Sequence, residues 1–147
     1  MTRFATNIAL LGRDAMKELK LPSSASAIPM LHAFIERVID ENPRFSDLFG
    51  NVLMALTEAV NNSIEHGNRA DESKQVTINL REEPDLLEFS ISDEGEGFSM
   101  DRVTDPTLPE NIEKTSGRGI FIIRRFADSV QYLRNGATVV LTFLSRE

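Results

Sequence analysis

The chain contains no cysteine, carries no excess of basic residues, and has no long apolar run. Without cysteine it can form neither a disulfide nor a thiolate metal site, and that absence fits a reducing compartment. Its 16 lysines and arginines are outnumbered by 23 aspartates and glutamates, a net charge of −7. A chain of that sign does not present the basic surface that DNA or RNA binding, or an anionic membrane, requires. No stretch approaches the roughly 20 apolar residues of a membrane span, and the N-terminus lacks the apolar segment of a signal peptide. Internal repeats, low-complexity tracts and interdomain linkers are also lacking. The expectation is a soluble, cytoplasmic protein. At 147 residues, with 41% hydrophobic and 27% charged side chains, it has enough chain for one domain with a real core and too little for two.

The most informative stretch is 47–68, DLFGNVLMALTEAVNNSIEHGN. Phe49, Val52, Leu53, Leu56, Val60 and Ile64 recur at three- and four-residue spacing and fall on one side of a helix. Glu58 and Asn62 are four apart and stack on a different side. Ala55 and Ala59 lie between the pair and the apolar stripe, where small residues leave room for something to approach. A carboxylate above a carboxamide suits a hard cation such as magnesium, or a proton-accepting role. A solvated polar helix face would show the same spacing. Gly67 is read as the stop of the helix. His66 is expected to pack and hydrogen-bond at the helix end rather than to catalyse, and His32 to be structural or exposed.

Along the rest of the chain, Ile8, Leu10 and Leu11 could dock on the body or belong to a mobile arm, so residues 1–16 are read as an N-terminal extension. Residues 17–21 form a short strand, suited to a sheet edge. Ser24 or Ser26 then caps a helix that runs to about Glu41, with Ile28, Leu31, Phe34, Ile35, Val38 and Ile39 inward, ended by Asn42 and Pro43. Residues 75–81 and 86–93 alternate and pair as an antiparallel hairpin across a turn containing Pro84. Residues 98–116 form a long irregular stretch, a pattern typical of a lid. A helix over 119–127 turns Ile120, Ile123 and Phe126 inward. Strands over 129–133 and 138–144 flank an Asn135-Gly136 turn. The order predicts an α+β fold, an α/β sandwich with helices on one face of a mixed, mostly antiparallel sheet.

Two more groups carry chemistry. Asp93-Glu94-Gly95-Glu96-Gly97 follows a strand. An aspartate at a strand end can accept a hydrogen bond from a ligand's amino group, and its glycines let the backbone approach a flat ring. An acidic turn would look the same. Ser116, Gly117, Arg118 and Gly119 open a helix, where free N–H groups and the dipole favour an anion. Ser and Gly are also ordinary helix-entry residues.

Helix, strand end and helix start, in this order, resemble the ATP-binding fold shared by gyrase, the ninety-kilodalton heat-shock chaperones, histidine kinases and the mismatch-repair clamp. Glu58-x-x-x-Asn62 is similar to its N box, Asp93-x-Gly95-x-Gly97 to its first glycine box, and Gly117-x-Gly119 to its second. TEAVNNSIEHGN and DPTLPENIEKTSGRGIFIIRRFADSV narrow the resemblance to the bacterial anti-sigma-factor serine kinases of the partner-switching type, over about residues 17–145. It implies an ATP-binding domain over 17–147. Asn62 would ligate magnesium, Asp93 would bind the adenine amino group, and Gly95 and Gly97 would shape the adenine site. Gly117, Arg118 and Gly119 would face the phosphates, and Glu58 would be the general base. The implied substrate is a serine of an anti-anti-sigma antagonist, the implied captive partner a sigma factor, and the implied assembly a homodimer. The family's Gly-Thr before the last strand is here Gly136-Ala137-Thr138, so Thr138 or a water would make the adenine contact. No phosphoacceptor histidine helix or dimerising hairpin is expected before the domain, which separates it from a complete sensor kinase. The alternative reading is a non-catalytic module that binds ATP to order itself for a protein partner. Glu58 discriminates, since sequestration alone requires no base.

Overall fold

The computed structural model describes residues 15–95 and 115–146, with side chains over 17–95 and 121–146. Five strands make one sheet in the order β1-β2-β3-β5-β4, from β1 (Ala15–Pro22), β2 (Gln75–Glu83), β3 (Leu86–Ser92), β4 (Ser129–Leu133) and β5 (Thr138–Leu144). β1 is an edge strand, as expected. All four pairings are antiparallel, so the parallel component that a mixed sheet would carry does not occur among the described residues. The α+β sandwich itself is as predicted.

Period-two patterning fixes which face is covered. Val76, Ile78 and Leu80 on β2, Leu87, Phe89 and Ile91 on β3, and Val139, Leu141 and Phe143 on β5 are all buried. They form one core with the apolar stripes of α1 (Ala27–Glu41) and α2 (Phe49–Asn62) and with Ile123 of α3 (Thr115–Phe126). Phe89 is at its centre. It meets Phe34 of α1 edge-on at 6.5 Å and Phe143 edge-on at 5.9 Å. Each such fully buried side chain contributes about 1.5–3 kcal/mol, so helices and sheet cannot separate cheaply. Among the described residues no helix is long and apolar enough to cross a membrane.

The element ends differ from expectation in ways that matter for the site. Ser26 stands at the N-cap of α1 but makes no capping bond; its hydroxyl pairs with Ser24 at 2.8 Å instead. The long helix expected over 47–68 is three pieces. A 3-10 segment over Pro43–Leu48 leads into α2, and a π-type turn over Ser63–Gly67 follows it. That wider turn carries its own bond, Asn68 N–H to Ser63 O at 2.8 Å. The chain then reverses through Arg69 and Ala70, both at positive φ (53° and 56°), with Ala70 N–H closing on Ile64 O at 2.7 Å. These two residues, and not Gly67, supply the left-handed stop that glycine usually provides. β2 runs two residues further than expected, leaving Pro84 and Asp85 as the hairpin turn. α3 starts at Thr115, ahead of the predicted 119.

Candidate functional site

Glu58 and Asn62 lie one turn apart on α2, about 6 Å along its axis. Both side chains are partly exposed, and neither makes a hydrogen bond or ion pair among the described residues. Asn62 is the last α-helical residue before the π-type turn, a distortion often found at functional sites. Among the described residues, what comes up to Ala55 and Ala59 is a helix. Both are buried in the core, where α2 packs closely with α3. The His66 side chain is half exposed, makes no hydrogen bond among the described residues and lies 4.0 Å from the Glu65 carboxylate. The packing and hydrogen bond expected at the helix end are therefore not formed among them. His32 is half-buried, its Nε2 3.5 Å from the Thr57 hydroxyl across the α1–α2 contact.

Asp93 follows the last residue of β3 and is buried, at 6% exposure. Its backbone N–H is held by Ala137 O at 2.9 Å. Its Oδ1 accepts the Gly95 N–H at 2.8 Å, while Oδ2 accepts no hydrogen bond from the described residues. Burial raises this carboxyl above the ordinary carboxylate range; the Gly95 N–H and the charges of Arg134 and Lys74 pull it part of the way back. The carboxylate sits in a cradle of two glycines. A Cβ on Gly67 would stand 2.1 Å from Oδ2 and 2.2 Å from the carboxyl carbon, and a Cβ on Gly95 would strike the Gly67 carbonyl oxygen at 2.1 Å. Gly67 is therefore a site residue that local reading takes for a helix stop. Its only sequence signal is its place, five positions after Asn62. Gly67→Ala should push the Asp93 carboxylate out of its buried position and break its bond to the Gly95 N–H. The expected result is a lowered melting temperature together with nucleotide affinity lowered by about tenfold, the worth of one displaced hydrogen-bonding group; calorimetric titration beside a thermal melt measures both.

Thr138 opposes Ser92 in the β3–β5 ladder, so it stands next to Asp93. Its hydroxyl is shared with Ser92 at 2.9 Å and accepts from Arg134 Nη1 at 3.2 Å. A base contact through Thr138 would have to share that hydroxyl. Arg134 opens the β4–β5 turn, where Arg134, Asn135 and Gly136 all have positive φ (52°, 56° and 91°). Ser92 and Arg134 were not legible as site residues, because only the strand register brings them to Thr138.

The early start of α3 places Gly117 and Arg118 in its first turn and Gly119 in the second, instead of ahead of the helix. Only the first four N–H groups of a helix lack intrahelical partners, so Gly119 is less free to meet an anion than a helix entry would be. Gly97 and residues 98–114 of the expected lid lie outside the described residues.

The fold thus brings Asp93, Gly95 and Thr138 against the C-terminal end of the helix that carries Glu58 and Asn62, with α3 alongside. The residues suit a purine with an amino group: one buried carboxylate oxygen is anchored to the backbone and the other has no donor among the described residues. Magnesium also fits the donor set. No cluster of three His, Cys, Asp or Glu occurs among the described residues, and this ion commonly takes one or two protein oxygens, with phosphates and water completing its shell. Asn62 offers one such oxygen.

The pattern of the histidine kinase-like ATPase domain matches residues 21–143. The chain belongs to that family. Among its relatives, it is 25% identical to the serine-protein kinase RsbW of Bacillus licheniformis over 138 residues, 88% of this chain and 86% of that one. It is 28% identical to the serine-protein kinase RsbW of Staphylococcus epidermidis over 140 residues, 88% of this chain and 87% of that one. The solved structure of the RsbU and RsbW domains from Mycobacterium tuberculosis superposes with a TM-score of 0.63 at 17% identity, over 90% of this chain and 33% of that chain, and shares the fold. The resemblance drawn from the boxes to this group of kinases is borne out by these relatives.

Proposed function

We propose that the protein is an ATP-dependent protein-serine kinase acting as an anti-sigma factor. It would phosphorylate a serine of an anti-anti-sigma antagonist and otherwise sequester a sigma factor, as a cytoplasmic homodimer without direct nucleic-acid contact. The observation that carries this reading is the pairing of a buried, glycine-cradled Asp93 with a helix whose polar side offers Glu58 and Asn62. Kinship to kinases named for serine supports the acceptor class.

Each residue then has one task. Asp93 accepts the adenine amino group through Oδ2, and Gly95, Gly97 and Thr138 line the base. Gly117, Arg118 and Gly119 face the phosphates. Asn62 would hold magnesium, whose charge would offset that of the phosphates. Glu58 takes the proton of the accepting serine, a hydroxyl that is a weak nucleophile until a base removes it.

Two measurements test this. Calorimetry should show ATP binding that depends on magnesium. Labelled γ-phosphate should pass from ATP to a serine of the antagonist captured from the source cell. If the protein binds ATP and its partners but transfers nothing to any captured antagonist, the binding-module reading replaces the kinase.

A further inference from the structure

Asn68 is 1% exposed and uses its side chain to join three separate segments. Its Oδ1 accepts the Glu94 N–H at 2.7 Å. Its Nδ2 donates to Ser23 Oγ at 2.9 Å and to Gln75 O at 3.0 Å. Ser23, also buried, donates its own hydroxyl hydrogen bond to Lys74 O at 2.7 Å. The carboxamide has two donors and one carbonyl oxygen, and all three are engaged. Local rules for polar residues at helix ends do not predict this. An asparagine there ordinarily bonds its own neighbourhood, whereas these partners lie in the β1–α1 connection, at the start of β2 and just after β3.

The bond to Glu94 matters for the site. Asp93 is tethered ahead by its own N–H to Ala137 O. Behind it, the peptide between Asp93 and Glu94 is held through the Glu94 N–H by Asn68, and the next N–H, that of Gly95, fixes Asp93 Oδ1. Gly67, the immediate neighbour of Asn68, walls the other side of the same carboxylate. We propose that Asn68 is a positioning residue for nucleotide binding, a buried latch that locks the Glu94 peptide so that the Asp93 carboxylate is aimed before the base arrives. The inference rests on the nucleotide-site reading given above. Asn68 touches no ligand itself. Its contribution is preorganisation, an ordering cost met in folding rather than on binding.

A second tie limits the effect. The Glu94 carboxylate accepts the Gln75 N–H, so the loop keeps one anchor when Asn68 is cut. Loss of the latch should therefore weaken Mg·ATP binding by about three- to tenfold, the worth of one net hydrogen bond. It should also move the pH at which affinity is half lost upward, because the freed Gly95 N–H no longer favours the charged carboxylate. The other groups acting on that carboxylate, Arg134 and Lys74, are unchanged.

The test compares Asn68→Ala with Ser23→Ala, titrating each with Mg·ATP across pH beside a thermal melt. Ser23→Ala removes a member of the network but leaves Asn68 its bonds to Gln75 O and Glu94 N–H. It should lower the melting temperature while keeping affinity and pH midpoint within about twofold of the unmutated protein. Asn68→Ala should weaken binding and shift the midpoint. Unchanged affinity and midpoint in Asn68→Ala, or equal losses in both variants, would overturn the proposal. Should Asn68→Ala fail to fold, hydrogen exchange at the Glu94 amide of the unmutated, nucleotide-free protein decides. Protection of at least about a hundredfold supports the latch, and exchange near the free rate overturns it. If the unmutated protein binds no ATP, the nucleotide-site reading fails instead, and Glu94 protection still reports whether the latch exists.

Discussion

Glu58→Gln is expected to lower phosphate transfer to the antagonist's serine by at least about a hundredfold while leaving the folded protein, its ATP affinity and its capture of a partner intact. The size of the loss follows from the task. A positioned base contributes typically about 10²–10⁴-fold, and a carboxamide is nearly the same size but cannot take a proton. The survival of everything else follows from the surroundings. Glu58 is partly exposed on α2 and makes no hydrogen bond or ion pair among the described residues, so its charge holds nothing together there. Asn62, one turn on, is where the two proposed roles part. Asn62→Ala removes the magnesium oxygen and should weaken magnesium-dependent binding, and with it each later step. Labelled transfer from ATP, run beside a pull-down of the sigma factor, separates the outcomes. A normal transfer rate in Glu58→Gln would mean that another group takes the proton.

Much of this arrangement could be read from the sequence, and the rest could not, for one physical reason. Features set by near neighbours were legible. The alternation of Leu87, Phe89 and Ile91 marks a strand, and the spacing of Val52, Leu56 and Val60 marks a helix and the face it buries. The four-residue step from Glu58 to Asn62 holds because α2 is regular across it. Features set by distant partners were hidden. Gly67 looks like a helix stop because glycine usually is one, yet its reason is the Asp93 carboxylate packed against its Cα. Local reading puts the start of α3 at Gly119, since each glycine inside a helix costs about 1 kcal/mol. The helix nonetheless starts at Thr115, and α3 packs closely on α2. Asn68 carries no local sign of its three distant partners.

Asp93→Asn should move binding and stability in opposite directions. Gly95 N–H needs an acceptor, so an asparagine would turn its oxygen to that amide and put its NH2 where Oδ2 now lies. The asparagine NH2 would then face the adenine amino group, donor against donor. Leaving such a buried group unpaired costs about 1–3 kcal/mol, a roughly ten- to hundredfold loss of ATP affinity. Without nucleotide the same change removes a penalty. Burial raises the Asp93 carboxyl above its ordinary range, with Gly95 N–H, Arg134 and Lys74 opposing. The folded state therefore binds the proton more tightly than the unfolded chain, and stability conferred by protonation is lost as the pH rises from the ordinary carboxylate range through the raised value. Nucleotide binding runs the other way, because only the ionised carboxylate is free to accept the amino proton at Oδ2. Affinity in the unmutated protein should fall as the pH drops through that raised value, and Asp93→Asn should show no such fall over the same window. Denaturant titrations of the nucleotide-free proteins and ATP calorimetry, each across mildly acidic to neutral pH, measure the two trends. At neutral pH the nucleotide-free variant should be at least as stable as the unmutated protein. Undiminished ATP binding by the variant would remove Asp93 from the adenine site.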